Sequence, residues 1–334
     1  MKRKGGFFLS FLLAGVLLVP ADTWAKPYYE KKVIKLVVGF ATGGGYDRLA
    51  RLFARHLPKH IPGKPSIIIQ NMPGASSMVA ANTLYNIDKP DGFTIATLDR
   101  GLPYAQMLKA EGIRFDLKKF AWIGSGAVES TLLVLRSDFP QKTFSELLKS
   151  QATIHLAALG PASSDYQFPT FLKEFTGANV KIAIYPSTQE GMLAVERKEV
   201  DGKAGSFSAL KPFIDRGLVR PVVRCRVSLP GIENLPVNED FAKNNTGKTL
   251  MALLAAGDQI GRPFVAPPNT PEQVMKILRA AFAQASVDQE LQKEARKLQL
   301  DVKYVPEPES RKVLHYVLDQ PDNIVKEFGR YVKF

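Results

Sequence analysis

The 334-residue sequence holds one cysteine, four histidines and two tryptophans. With Cys225 alone no intramolecular disulfide can form, so a packed core has to hold the chain together. Familiar nucleotide loops are absent. The run "GFATGGGYDR" (39–48) has no Gly-Lys-Ser/Thr, which excludes a Walker loop. Its glycines Gly43, Gly44 and Gly45 are adjacent, whereas a dinucleotide fingerprint spaces them. There is no Gly-x-Ser-x-Gly elbow and no His-Glu-x-x-His. His56 and His60 stand four apart, but Pro58 interrupts any helix between them, and they read as surface residues rather than metal ligands. Ser208 and Lys211 match Ser-x-x-Lys, a pattern with two fixed positions that chance supplies in a chain this long. An exported serine hydrolase built on that pair is the enzymatic alternative. Cys225 lies in an apolar stretch and reads as inert. Internal repeats and low-complexity tracts are also lacking, which removes the usual basis for a structural or adhesive role.

The charge is one-sided: 45 Lys and Arg against 32 Asp and Glu give +13. Lys2, Arg3 and Lys4 precede the apolar stretch 7–20, and small residues Thr23 and Ala25 follow, which is the layout of a cleavable secretory signal over 1–25. Removing its three basic residues and one acid leaves +11. No later apolar run is long enough to cross a bilayer. The expectation is a soluble exported protein, periplasmic in a Gram-negative cell. The basic residues are scattered rather than gathered in a stripe with aromatics, so nucleic acid is not the partner and small anions suit the charge better.

Short β-branched runs alternate with amphipathic patterns. Strands are expected at 33–40, 66–72, 93–99, 131–136, 153–159, 180–185 and 219–227, with helices near 143–149, 165–176, 188–198 and 207–216. In "YDRLARLFARHL", Tyr46, Leu49, Ala50, Phe53 and Leu57 fall on one stripe of a further helix. The alternation predicts an α/β protein with parallel sheets covered on both faces. Towards the C-terminus, Thr270 and Ser286 read as N-caps of two helices, followed by a strand at 301–305 and a last helix at 309–319. Roughly 310 mature residues exceed one core and suggest two domains. The boundaries read as 26–125 with 231–334 for the first, and 126–230 inserted as the second.

Binding chemistry concentrates in loops that follow strands. Three glycines before a helix leave backbone amides bare at the positive end of its dipole, a setting for a carboxylate. "NMPGASSM" supplies Ser76 and Ser77, "LGPASSDY" supplies Ser163, Ser164 and Asp165, and "YPSTQEG" supplies Tyr185, Ser187 and Thr188. Each serine can be a plain helix cap. Several such loops at the carboxyl ends of strands in two α/β units form the lips of a cleft. Arg100 follows a strand at the same edge and either clamps a carboxylate or pairs with Asp99 or another surface acid. Phe40, Tyr46, Tyr104 and Tyr166 are expected near the rim and favour an acid with an aromatic or apolar body over citrate.

"IKLVVGFATGGGYDRLARLFARHL", "QNMPGASSMVAANTLYN", "KPDGFTIATLD" and "RPFVAPPNTPEQVMKILRAAFAQA" resemble the solute-binding receptors of tripartite tricarboxylate transporters, the Bug or TctC-type proteins. The resemblance runs from about Val33 to Pro306. It implies two Rossmann-like domains closing as a Venus flytrap of the type II periplasmic-binding kind, with no enzymatic activity, cofactor or metal. It implies a monomer that delivers a small organic carboxylate to membrane permease subunits; a receptor for an amino acid or vitamin is the nearest alternative. The family's first ligand loop maps onto Thr42, Gly43, Gly44, Gly45, Tyr46 and Asp47, and its second onto Gly160, Ala162, Ser163 and Ser164. Many members carry Ser or Thr in place of Tyr46 and a histidine in place of Asp165 or Tyr166, so the ligand's identity does not carry over.

Overall fold

A computed structural model describes residues 26–332 and 334 of the chain. The signal expected over 1–25 lies outside the described residues. Among the described residues no helix is long and apolar enough to cross a membrane.

Strand and helix alternate from the start. One run comprises β1 (Val33–Val38), α1 (Gly45–His56), β2 (Ser66–Asn71), α2 (Met78–Asn86), β3 (Thr94–Thr97), α3 (Leu102–Met107) and β4 (Ala121–Ser125). A second comprises β5 (Thr131–Arg136), α4 (Phe144–Ser150), β6 (Ile154–Ala158), α5 (Ser164–Thr176), β7 (Val180–Ile184), α6 (Thr188–Glu196), β8 (Gly202–Ser206), α7 (Phe207–Asp215) and β9 (Val219–Arg224). The chain ends through α8 (Asn245–Ile260), β10 (Pro263–Ala266), α9 (Glu272–Val287), α10 (Gln289–Lys297), β11 (Val305–Pro306), α11 (Glu307–Leu318) and α12 (Asp322–Tyr331).

Two sheets result, ordered β11-β4-β10-β3-β1-β2 and β7-β6-β8-β5-β9. Both are mixed, which corrects the expectation of parallel sheets. β1 pairs in parallel with β2 and β3, and β6 with β7 and β8, but β10 runs against β3 and β4, and β5 against β8 and β9. The reason is the route between sheets. β4 ends at the edge that faces the other sheet, so the strand after the crossing, β5, starts at that edge and runs away from it. β10 does the same on the return. The parallel strands all point their carboxyl ends at the shared edge, and their loops meet there.

The α1 stripe is buried as its spacing predicts, Phe53 stacking on Phe282 of α9 at 4.3 Å and meeting Phe264 of β10 at 5.4 Å. Burying one such ring is worth about 1.5–3 kcal/mol, so this trio fixes α1, and the loop before it, against the first sheet. Over the second sheet, Phe168 and Phe171 of α5 share a cluster with Leu250, Met251 and Leu254 of α8 and Phe328 of α12. These last two helices therefore pack with the second sheet although they flank strands of the first. The C-terminal caps also differ from expectation. Thr270 donates to the Pro267 carbonyl instead of capping α9, and Ser286 lies inside that helix, donating to Phe282. Asp288 caps α10, accepting from the amides of Glu290 and Leu291, because α9 runs on to Val287 and leaves Asp288 as the first non-helical residue before α10.

Candidate functional site

The loops at the shared edge enclose a cleft between the sheets, about 680 Å³ when its open mouth is counted. Its wall includes Phe40, Gly44, Gly45 and Tyr46 from the glycine loop, Arg100, and Ser163, Ser164 and Asp165 from the second unit.

The glycine loop is held from behind. Asp47 accepts the Gly43 amide N–H at 2.8 Å, Arg51 Nε at 2.9 Å and Asn71 Nδ2 at 2.9 Å, and Asn71 also donates to the Phe40 carbonyl at 2.9 Å. Burial works against the charge on Asp47, but these hydrogen bonds outweigh it and hold the carboxyl below its usual range. Asp47 is thus a strut for the loop and lies outside the cleft lining. Gly43 takes φ +86°, a conformation that favours glycine, and its amide is used by Asp47. Gly44 is the N-cap of α1 and no side chain caps that helix, so its first-turn amides have no intrahelical acceptor, and Gly44 and Gly45 at that end line the cleft.

Tyr46 joins the loop to the cations. Its ring stacks on Phe40 at 4.6 Å, and the Arg262 guanidinium lies over its other side at 4.3 Å. Its hydroxyl accepts the Arg100 amide N–H at 3.0 Å, and burial pushes the phenol up. Arg100 is 3 % exposed and neither bland nor free. Its Nε lies 2.8 Å from Asp258 Oδ1, off the N–H direction, while Nη2 donates to Thr131 Oγ1 at 3.0 Å and Ser164 Oγ at 3.2 Å. The partner is Asp258, not the neighbouring Asp99, because the side chain crosses towards β5 and α8.

Two cations of the site were not read from the sequence. Arg262, 1 % exposed, donates from Nε to Glu129 at 2.7 Å and from Nη2 to Ser206 and Ser208 at 3.0 and 2.8 Å. Lys203, equally buried, donates to Asp165 across the β8–α5 packing. A cation fixed in the interior needs a paired acid, and each of these has one. Asp99 also lines the cleft; burial raises its carboxyl to about 6 against the pull of Arg100 and Arg262.

Other expected residues stand elsewhere. Thr42, Gly43, Gly160, Ala162 and Tyr185 lie outside the lining; Thr42 is exposed, and Tyr185 packs against an apolar cluster of the second unit. Ser76 and Ser77 are also outside it. Both have positive φ, and Ser77 is fully buried under Gly39, where an added Cβ would sit 1.8 Å from the serine oxygen. Tyr104 is core, its hydroxyl donating to the carbonyls of Leu253 and Leu254, and Tyr166 is half-buried away from the lining. Ser208 donates to Glu129 at 2.6 Å while Lys211 is engaged by Asp215 at 2.7 Å, so no nucleophile and base pair is assembled. Cys225 donates to Asp258 at 2.9 Å, and burial pushes the thiol up, which leaves it unreactive. His56 and His60 bond Glu294 and Asp288, and Lys59 spans Asp288 and Glu290 at 2.8 and 2.6 Å; the one group of metal-ligating type among the described residues, His56 with Asp288 and Glu290, is therefore neutralised by an ammonium.

Residues 49–330 match the sequence profile of the tripartite tricarboxylate transporter family receptor. A UPF0065 protein of Bordetella pertussis is 27 % identical over 278 residues, 81 % of each chain. Among solved structures, the periplasmic binding protein BugD superposes with a TM-score of 0.75 at 22 % identity, covering 92 % of this chain and all of its own. MatC from Rhodopseudomonas palustris with bound malate gives 0.67 at 23 %, over 90 % and 97 % of the two chains. An adipate-bound R. palustris protein gives 0.73 at 19 %, over 91 % and 99 %. These likenesses establish the two-unit α/β fold of periplasmic binding proteins. The chain belongs to the receptors of the tripartite tricarboxylate transporter family, which are binding proteins and not enzymes.

Proposed function

We propose that this receptor captures a small organic carboxylate between its two lobes and presents it to the membrane permease subunits of its transporter. The observation that carries the reading is the pair of buried guanidiniums, Arg100 and Arg262, set in one cleft with the uncapped N-terminus of α1. Fixed N–H donors in a water-poor setting are what a carboxylate requires. Malate in one relative's fold and adipate in another's support the ligand class.

Charge sets the order of the acid. Arg100, Lys203 and Arg262 already face Asp258, Asp165 and Glu129. A trianion such as citrate would bring charges that no unpaired cation of the cleft balances, whereas a mono- or dicarboxylate brings fewer. Phe40, Leu159, Pro186, Ala209 and Leu210 supply an apolar wall for its body. The acid is accordingly one with an aromatic or apolar body.

The lobes divide as 26–125 with 231–334 and 126–230, a reading supported by the strands, which fall in the two sheets along that division, while α8 and α12 lean across it onto the second sheet. Of the cleft residues expected from the glycine and serine loops, Gly44, Gly45, Tyr46 and Ser164 bear on binding, while Ser163 lines the cleft and holds the second loop in shape. The 1–25 segment directs export to the periplasm, where the receptor acts as a monomer. Thermal shift against malate, adipate, benzoate, phthalate and citrate tests the reading: a binder adds about 2.7 kcal/mol at a hundredfold excess over Kd. A panel without any stabilising carboxylate overturns it.

A further inference from the structure

Asp99 stands apart from the other acids of the cleft. Among the described residues, Asp165, Glu129 and Asp258 each pair with a cation, while Asp99 has none within ion-pair distance. Its Oδ1 accepts the Gly101 amide N–H at 2.5 Å, while its Oδ2 accepts no hydrogen bond from the described residues and is not among the sealed-off polar atoms of the interior. The residue lines the cleft at 6 % exposure. Next to Oδ1 the chain also approaches the opposite lobe: a Cβ on Gly101 would lie 3.0 Å from both Asp99 Oδ1 and the Ala162 carbonyl.

The charged groups around it are Arg100 on its own segment, Arg262 before β10, Asp165 on α5, and the Tyr46 phenol on α1. Behind them Lys203 is committed to Asp165 and Asp258 to Arg100. Counting Asp99 as ionised, the buried set holds one more acid than it has cations. A bound carboxylate would make the surplus two around a largely buried carboxyl, and like charges brought close together raise the cost of keeping both ionised.

Resting on the carboxylate reading above, we infer that Asp99 is a ligand-contacting residue that takes up a proton as the anion enters and donates from Oδ2 to a ligand carboxylate oxygen. The proton comes from solvent and remains on Asp99; no bond of the ligand changes. Burial has already brought the group to about 6, so a nearby anion has only to raise it above the pH range of the measurement for the proton to be held. Such a residue selects ligands as well as holding them. It favours a plain carboxylate, and it gives nothing to a group that must itself donate, such as an ammonium. An ionised Asp99 reading an ammonium is the opposite case, with the opposite pH dependence.

Titration calorimetry with adipate and with benzoate, in two buffers of different ionisation enthalpy at pH 7.5, counts the protons on the wild-type protein. The expected result is close to one proton taken up per ligand, with affinity falling about tenfold per pH unit from about pH 6.5 to 8. Asp99→Asn, which keeps a donor and cannot ionise, should bind as tightly as wild type at low pH, take up no proton and lose the pH dependence. Proton release, zero uptake by the wild type, or tightening with rising pH joined to lost affinity in Asp99→Asn overturns the inference while leaving a carboxylate receptor in place. If neither these acids nor malate, phthalate or citrate binds, the carboxylate reading fails and this inference fails with it.

Discussion

The guanidinium of Arg262 lies 4.3 Å over the ring of Tyr46, and Gly45, one residue before that tyrosine, leaves the space it occupies. A Cβ built on Gly45 would meet Arg262 Nη2 at 2.4 Å and Cζ at 2.9 Å. One built on Gly44 would meet nothing within 4 Å. The two neighbouring glycines therefore do different jobs, one giving way to a buried cation and the other keeping the cleft open.

Substitution separates them. Gly45→Ala should push Arg262 out of its bonds to Glu129, Ser206 and Ser208, costing on the order of 1–3 kcal/mol of stability as well as affinity. Gly44 already has extended dihedrals, φ −74° and ψ 173°, so Gly44→Ala should leave the melting temperature almost unchanged. It should still weaken carboxylate binding about tenfold, since its methyl group meets the ligand where bare backbone did. Equal losses of stability in both variants would contradict the assignment.

The paired serines of the second lip should also part company. Ser163 Oγ donates to the Gly160 carbonyl and to Asp165, so it holds the loop closed on itself. Ser164 Oγ accepts from Arg100 Nη2 across the cleft. Ser163→Ala should appear mainly as a lower melting temperature, by about 1 kcal/mol of stability. Ser164→Ala should appear mainly in Kd, roughly three- to tenfold weaker, because the Arg100 fork loses its brace. Calorimetry and thermal denaturation on both variants decide it; a reversed pattern refutes the division of roles.

How far the sequence reached is clearest at these loops. α1 was legible because its buried stripe repeats at helical spacing, and the glycine loop because three glycines before a helix have few other uses. Arg262 was not legible: it follows Gly261, and nothing in "IGRPF" says that its side chain folds back under Tyr46. Lys203 hid for a related reason. β8 reads GKAGS, too rich in glycine to look like a strand, yet Gly202 is needed where a Cβ would sit 2.1 Å from the Val134 carbonyl of β5. Ser76 and Ser77 resembled a lip of the cleft in sequence. The backbone there turns through positive φ from Gly74 to Ser77 and tucks the serines under Gly39, a local conformation that composition does not announce.

Asp99 should leave a mark on stability without any ligand. Its carboxyl is raised from about 3.8 to about 6 in the folded protein, chiefly by burial. Between those values the folded state holds a proton that the unfolded chain has lost, so stability is fully present below about pH 4 and falls as pH rises through about 6. The loss is of order 2–3 kcal/mol at neutral pH. Asp99→Asn should flatten this part of the stability profile and raise the melting temperature at pH 7.5. Denaturation at pH 5 and pH 7.5 on both proteins measures it; an unchanged slope in the variant would exclude Asp99 as the cause.

Phe40 bears on what kind of acid the cleft accepts. One face of its ring is taken by Tyr46 at 4.6 Å, the ring is half-buried, and the residue lines the cleft beside the glycine loop. Tyr46 in turn carries Arg262, so the three groups form a short column at the cleft wall, with Phe40 at one end. A flat ligand can extend that column; a compact, hydrated polyacid gains little from it. Offset or edge contact with a ligand ring is worth about 0.5–1.5 kcal/mol beyond the area buried. Phe40→Ala should accordingly weaken benzoate and phthalate about three- to tenfold while changing malate by less than twofold. Stability should drop as well, because Tyr46 loses its stacking partner, so affinities are compared at a temperature where both proteins are folded. If Phe40→Ala weakens malate as much as benzoate, or if wild-type protein binds citrate far more tightly than any of them, the column is not a recognition surface and the ligand is not a flat acid.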